Sequence, residues 1–516
     1  MKRRSRNRLA LLSVAIWLGV LAWHVKREYF QPLSLRLAEA SASLVPTSAY
    51  YSVKLGGATI GYAASRIDTL TDGFVIEDDL RLRILALGKE VPSNARTQVR
   101  LGRRLELRHF TFSLRSSLGD FRVDGTVDGD STLRLEVAAG EDEQTLAMPT
   151  GGAVLLPQVM PIRFVLGQNP RPGETYTFEI FDPSILEHQK VRMDVLSREV
   201  LVYPDSADFD EAAGEWVPQR HDTVETWHVR EAFGGIELEA WLDPDGQILR
   251  ATSPMGYTIE RTAFEIAWNE YRALAARRPA APDAASDIIE RTAISVGADL
   301  PRGDRISRLA VRLKNVDLRG FDLEGERQRL RGDTLTVDVH PPPDHPSYRL
   351  PADPSDWPEE LAATPLVQVE DPEIRGTAQR ITSGTADPAE AARRLTDWVY
   401  ERLDKQITMS VPSARQVLDA GVGDCNEHTV LFLALARSLG LPARTAVGLV
   451  FVNGRFYYHA WPEVWLDSWM PVDPTLGQFP ADASHLRFVV GGLARQVELV
   501  RLIGQLQLDV VSVEEK

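Results

Sequence analysis

The sequence is short of thiols. Among 516 residues there is one cysteine, Cys425. No disulfide can form within the chain, so this thiol is structural, catalytic or a metal ligand. Positive charge is also scarce: 58 Lys and Arg against 73 Asp and Glu leave a formal net charge of -15. Without a basic footprint to neutralise phosphates, nucleic acid is not an expected partner. There is no HExxH, GxSxG, Walker A or dinucleotide fingerprint. No metal and no cofactor is therefore expected.

Long apolar runs are scarce too, with one exception. Lys2, Arg3, Arg4, Arg6 and Arg8 precede a run from Leu9 to Val25, broken by Ser13 and His24. Its length of about 17 residues is near the lower limit for a spanning helix. The basic cluster predicts that the N-terminus stays in the cytoplasm and the rest crosses. Trp23, Tyr29 and Phe30 are placed to anchor the far interface. A cleaved signal peptide is the rival, but the small-x-small site Ala40-Ser41-Ala42 lies far past the run. Residues 1–30 thus read as a basic tip and signal anchor. The expected location is the cytoplasmic membrane, single-pass, with the bulk of the chain on the extracytoplasmic (periplasmic) side.

Residues 48–272 are rich in period-two patterning. Phe110, Phe112 and Leu114 alternate with polar residues, as do Leu133, Leu135 and Val137, which is the strand signature. Gly56-Gly57 and Asp128-Gly129 supply turn chemistry. No catalytic constellation falls here, so this is read as a β-rich accessory domain, a place for envelope protein partners. Residues 277–286 (RRPAAPDAAS) read as a linker. A small β segment over 290–345 comes next, with Leu309, Val311 and Leu313 alternating, then Leu335, Val337 and Val339. Prolines between Pro341 and Pro358 make an extended connector.

From about 365 to 490 the pattern turns to helices and then strands. Asp387 has the makings of an N-cap, with Pro388 at the first position and Glu390 at the third. The same device recurs at Asp424 and Glu427, which makes Cys425 the first residue of a helix running to Leu439. Unpaired amides and the helix dipole stabilise an anion there, so the thiol is expected to have a lowered pKa. A nearby amide would also suit a developing oxyanion.

After the β-branched stretch Thr445–Val452, Asn453-Gly454 signals a hairpin. The returning strand carries Phe456, Tyr458, Ala460, Val464 and Leu466 on one face, leaving His459 with Tyr457, Trp461 and Glu463 on the other. The next strand contains Asp473. A two-residue turn at Asp467-Ser468 would pair Asp473 with Pro462 on the wrong face. One further residue, or a bulge, would set it opposite Trp461 and diagonal to His459. His428, one turn after Cys425, is a rival base or ligand, but packing or helix hydrogen bonding is its simpler role. Residues 491–516 read as a tail with a helix and a strand packing on this domain.

The stretches GDCNEHTVLFLALARSLGLPARTAVGL, YYHAWPEVW and WMPVDPT, in that order, resemble the core of bacterial transglutaminase-like proteins. The resemblance implies an α+β, papain-like fold, with a helix-borne cysteine against an antiparallel sheet. It implies Cys425 as nucleophile, His459 as base and Asp473 as the acid that orients it. The implied chemistry is acyl transfer on peptide or protein amides through a thioester; hydrolysis is favoured over transamidation because water is abundant and the alternative needs a second amine site. The alternative is a catalytically silent envelope scaffold that keeps the fold for binding.

Overall fold

The computed structural model describes residues 33–116, 119–129, 132–140, 142–150, 152–234, 236–276, 287–408, 411 and 413–516. The expected anchor and the linker over 277–286 lie outside these residues. Among the described residues, no helix is long and apolar enough to cross a membrane.

The β-rich region is one sheet of 14 strands running from Thr47 to Thr262. Eight strands descend as a meander from Thr47–Leu55 to Asp142–Pro149. Six more run from Thr175–Asp182 to Tyr257–Thr262. The two arms join where the first strand pairs with the last, Val53 opposite Ile259. Strands such as Thr132–Ala139 alternate buried and open positions, which gives the sheet an apolar face to hide. It hides it by curling. Phe110 of one arm and Phe181 of the other meet with ring centroids 6.0 Å apart. Helix Met160–Gln168 packs among them, its Phe164 fully buried.

The C-terminal half begins with helices. Pro372–Thr382 and Pro388–Arg402 are capped by Asp371 and Asp387, and each opens with proline. The third, Ala414–Ala420, has a Ser413–Gln416 capping box. The fourth, Cys425–Ser438, is the central one: Leu431, Phe432, Leu433, Leu435 and Ala436 are all buried. It packs on strands Ala443–Val452 and Arg455–Trp465, an antiparallel pair at the middle of a small sheet. Residues of that sheet enter two apolar cores. One is shared with the helices, through Ala443, Val464 and Met470. The other is shared with the small β segment, through Leu449, Phe456 and Leu486.

This sandwiching alters one expectation. His459 is expected on the face away from the core, yet His459, Trp461 and Glu463 are buried, as are Ala460 and Val464. Both faces of the strand are covered. The tail also differs in detail. Its strand Gln507–Glu515 adds to Ile306–Lys314 of the small β segment, with Val513 opposite Leu309. Leu502 and Leu508 of the tail enter the core shared by both sheets.

Candidate active site

Asp424 caps the Cys425 helix. Its carboxylate accepts from the Asn426 amide at 2.8 Å, and the Glu427 carboxylate accepts from the Asp424 amide at 2.8 Å. This reciprocal box needs Glu427 folded back over Gly423, where a β-carbon would stand 2.2 Å from Glu427 Cβ. Cys425 is therefore the first helical residue, half-buried, with the anion-favouring end of the helix behind it.

The thiol is not lowered as that position alone suggests. Burial pushes Cys425 up, and the neighbouring Asp424 pushes the same way. The hydrogen bond and charge of His459 and the backbone of Ala460 pull against them without reversing the result. The helix start is visible in the sequence; the enclosure that opposes it is not.

His459 sits on the adjoining strand. Its Nε2 donates to Asp473 Oδ2 at 2.8 Å, which leaves Nδ1 for the thiol side. Burial works against protonation of His459. The charge and hydrogen bond of Asp473 outweigh burial, with Cys425 adding to them, and His459 rises to about 9. A raised imidazole is what a thiolate–imidazolium pair requires; an enclosed, raised thiol is not.

Asp473 owes its place to the turn. Glu463 pairs with Pro471 and Trp465 with Trp469, so residues 466–468 make the connection. That three-residue connection is the longer turn; Val472 still donates to the Pro462 carbonyl at 2.9 Å, and Asp473 follows just beyond, bridged to Gln478. Asp473 is fully buried and fully bonded. Oδ1 accepts from the Thr475 and Leu476 amides at 2.7 and 2.9 Å. Oδ2 accepts from His459 and, at 2.9 Å, from Nε2 of a second histidine, His485. Burial raises Asp473, but the charges and bonds of the two imidazoles hold it far below the usual carboxylate range.

Cys425, His459 and Asp473 are thus brought together. His428 is not part of the group: its Nδ1 donates to the Asp424 carbonyl at 2.6 Å, and burial lowers its pKa. Trp461 is buried, stacked 6.1 Å from His459 and edge-on 5.1 Å from His485. Sequence reasoning missed His485 and its neighbour Asp482. They lie beyond the third motif, and only the fold carries them back.

One oxygen or nitrogen each of His459, Asp473 and His485 lies within 4.8 Å of the other two, which would suit a small cation. The donor set fits poorly. A metal needs lone pairs on both imidazoles, whereas both nitrogens of His485 face acceptors only, Asp473 on one side and Asp482 on the other.

Residues 375–474 match the family model described as Transglutaminase-like superfamily. The chain therefore carries a transglutaminase-like domain, joined to a large antiparallel β-rich region. The match includes Cys425, His459 and Asp473 and ends before His485. No curated protein matches the chain. Solved structures that are similar in part include the following. One, described as a "Putative Cysteine Protease" from Cytophaga hutchinsonii, is 15% identical over 41% of this chain and 85% of its own, with a TM-score of 0.27. A β-barrel-like protein from Brucella abortus is 15% identical over 42% of this chain and 94% of its own, at 0.32. A "Putative Protease" from Parabacteroides distasonis is 10% identical over 64% and 67%, at 0.18. Likenesses this low carry no argument about what this chain does.

Proposed function

We propose that this chain is a cysteine-dependent acyl-transfer enzyme acting on peptide or protein amide bonds, with Cys425 as nucleophile, His459 as base and Asp473 as the residue orienting His459. The observation that carries the reading is the single line of contacts from the thiol through His459 to the buried Asp473. A structural histidine gains nothing from having a lone thiol on one nitrogen and an ionised carboxylate on the other.

In the proposed reaction Cys425 gives its proton to His459 Nδ1, and the thiolate attacks the amide carbonyl carbon. The tetrahedral intermediate collapses as His459 protonates the leaving nitrogen; the C–N bond breaks and a thioester remains. Water, deprotonated by His459, attacks the thioester. The C–S bond breaks, an acid leaves and the thiol is restored. An amine in place of water would give transamidation. Hydrolysis is favoured, because it needs no second amine site. Asp473 keeps the proton of His459 on Nε2 and stabilises the cation.

The bulk of the chain is proposed to work outside the cytoplasmic membrane, held by the Leu9–Val25 run behind its basic tip. The 14-strand region is then free to receive envelope partners.

The test uses the 516-residue chain and a peptide-amide library read by mass spectrometry. Cleavage, or coupling to an added amine, should occur with the wild type and vanish in Cys425→Ala. Equal product patterns from the two would favour the silent scaffold.

A further inference from the structure

The buried chain of contacts does not end at Asp473. His485 lies at the start of the strand Leu486–Val490, 3% exposed. Its Nε2 faces Asp473 Oδ2 at 2.9 Å, and its Nδ1 faces the Asp482 backbone oxygen and Oδ1, each at 3.2 Å. All of these atoms are acceptors. Asp473 takes donors on both oxygens: two backbone amides on Oδ1 and two imidazoles on Oδ2. Asp482 Oδ1 takes the Ser484 amide (2.8 Å) and hydroxyl (2.6 Å), and its Oδ2 takes the Gln478 side-chain amide (2.8 Å). Carboxylates so surrounded by donors are ionised. An imidazole with only acceptors at both nitrogens carries a proton on each.

We infer that His485 is a positioning residue of this site: a buried imidazolium, clamped between Asp473 and Asp482, that fixes the carboxylate on which His459 depends. The inference rests on the proposed Cys425–His459 pair and extends it to residues outside the family match.

The local backbone is built to hold this clamp. Asp473 and Gln478 exchange two backbone hydrogen bonds, both 2.9 Å. The Gln478 side chain then grips Asp482, accepting from its amide at 2.8 Å. The loop from Asp473 to His485 is thereby closed on itself, and its ends meet at the Asp473 carboxylate.

Two imidazoles share one anion, since His459 and His485 both donate to Asp473 Oδ2. His485 repels a proton on His459 while steadying the oxygen that attracts it. Other charges near His485 largely cancel. Behind Trp461 and His485 is a cavity of about 210 Å³, lined by Arg327, Arg444 and Arg487 and by Glu324, Glu326 and Glu463. On the Asp473 side the further cation is Lys405, bonded to the Tyr400 carbonyl at 3.3 Å. The pull on His459 is therefore set chiefly by Asp473 with its second histidine.

The test is the pH dependence of Cys425 alkylation by iodoacetamide in the intact chain. In His485→Gln the amide still reaches Asp473 but brings no charge. The midpoint assigned to His459 should move upward by about one pH unit; an unmoved midpoint in a folded variant overturns the inference. Should that variant fail to fold, nitrogen NMR of the histidine-labelled wild type decides. Two protonated ring nitrogens on one buried histidine at pH 7, besides His459, support the imidazolium; their absence refutes it. If His459→Ala leaves alkylation unchanged, the Cys425–His459 pair itself fails and His485 has nothing to position.

Discussion

Gly448 stands directly opposite His459 in the register of the two central strands. A β-carbon on Gly448 would lie 1.9 Å from the carbonyl oxygen of Leu486, on the third strand. The absence of a side chain there lets the strand that begins beside His485 close against the strand that faces His459.

Gly448→Ala should therefore act at a distance. Forcing a methyl into that gap costs about 1–3 kcal/mol in a packed interior and pushes His485 off Asp473. A lower urea midpoint with slower Cys425 alkylation is the expected pair of results. Full stability with unaltered alkylation would show that the strands adjust freely.

Within the site, His459→Ala should slow iodoacetamide labelling at neutral pH by at least about tenfold, because the hydrogen bond and charge that favour the thiolate are then gone. In the wild type, labelling should climb through pH about 9, where His459 titrates. Once a cleavable amide is known, Asp473→Asn should reduce kcat by up to about four orders of magnitude, by favouring the wrong tautomer. A loss under tenfold would remove Asp473 from the orienting role.

Stability should fall at both ends of the pH scale. His459 and His485 both rise from 6.5 to about 9. Their contribution is full below the unfolded value and drains away as pH rises through 9. Asp473 and Asp482 are depressed, Asp482 to about 2. Their contribution holds above the ordinary carboxylate range and is lost as pH falls. Urea midpoints should decline from pH 7 to pH 10, and less steeply in His485→Gln. A flat alkaline limb in the wild type would contradict the raised histidines.

Glu463 sits buried between two arginines, 2.7 Å from Arg444 and 3.0 Å from Arg487. Glu463→Gln strands both cations, and breaking a buried pair in this way costs about 3–5 kcal/mol. Equilibrium unfolding should register the loss. A change below about 1 kcal/mol, as at exposed pairs, would mean that water reaches the site.

How much of the site was legible in the sequence depended on range. The Asp424–Glu427 cap is local, four residues in a row, and could be read directly. So could the strand period that sets His459 apart from Ala460. Asp473 hung on one residue of turn length, which composition does not decide. His485 was invisible, because its tie to Asp473 depends on a loop folding back on itself. The thiol was misjudged for a related reason: the helix start is written beside Cys425, while the packing that encloses it comes from elsewhere. In the β-rich region strands were recognisable, but no local pattern announces that the first pairs with the last.

That last pairing has a consequence for how the region joins the chain. Because Thr47–Leu55 lies against Tyr257–Thr262, the polypeptide enters and leaves the 14-strand region at one spot. A unit with adjoining ends is a cassette. Its two ends leave together, so the rest of the chain meets it at that seam and at a few lateral contacts, such as the Gly88 amide on Asp287.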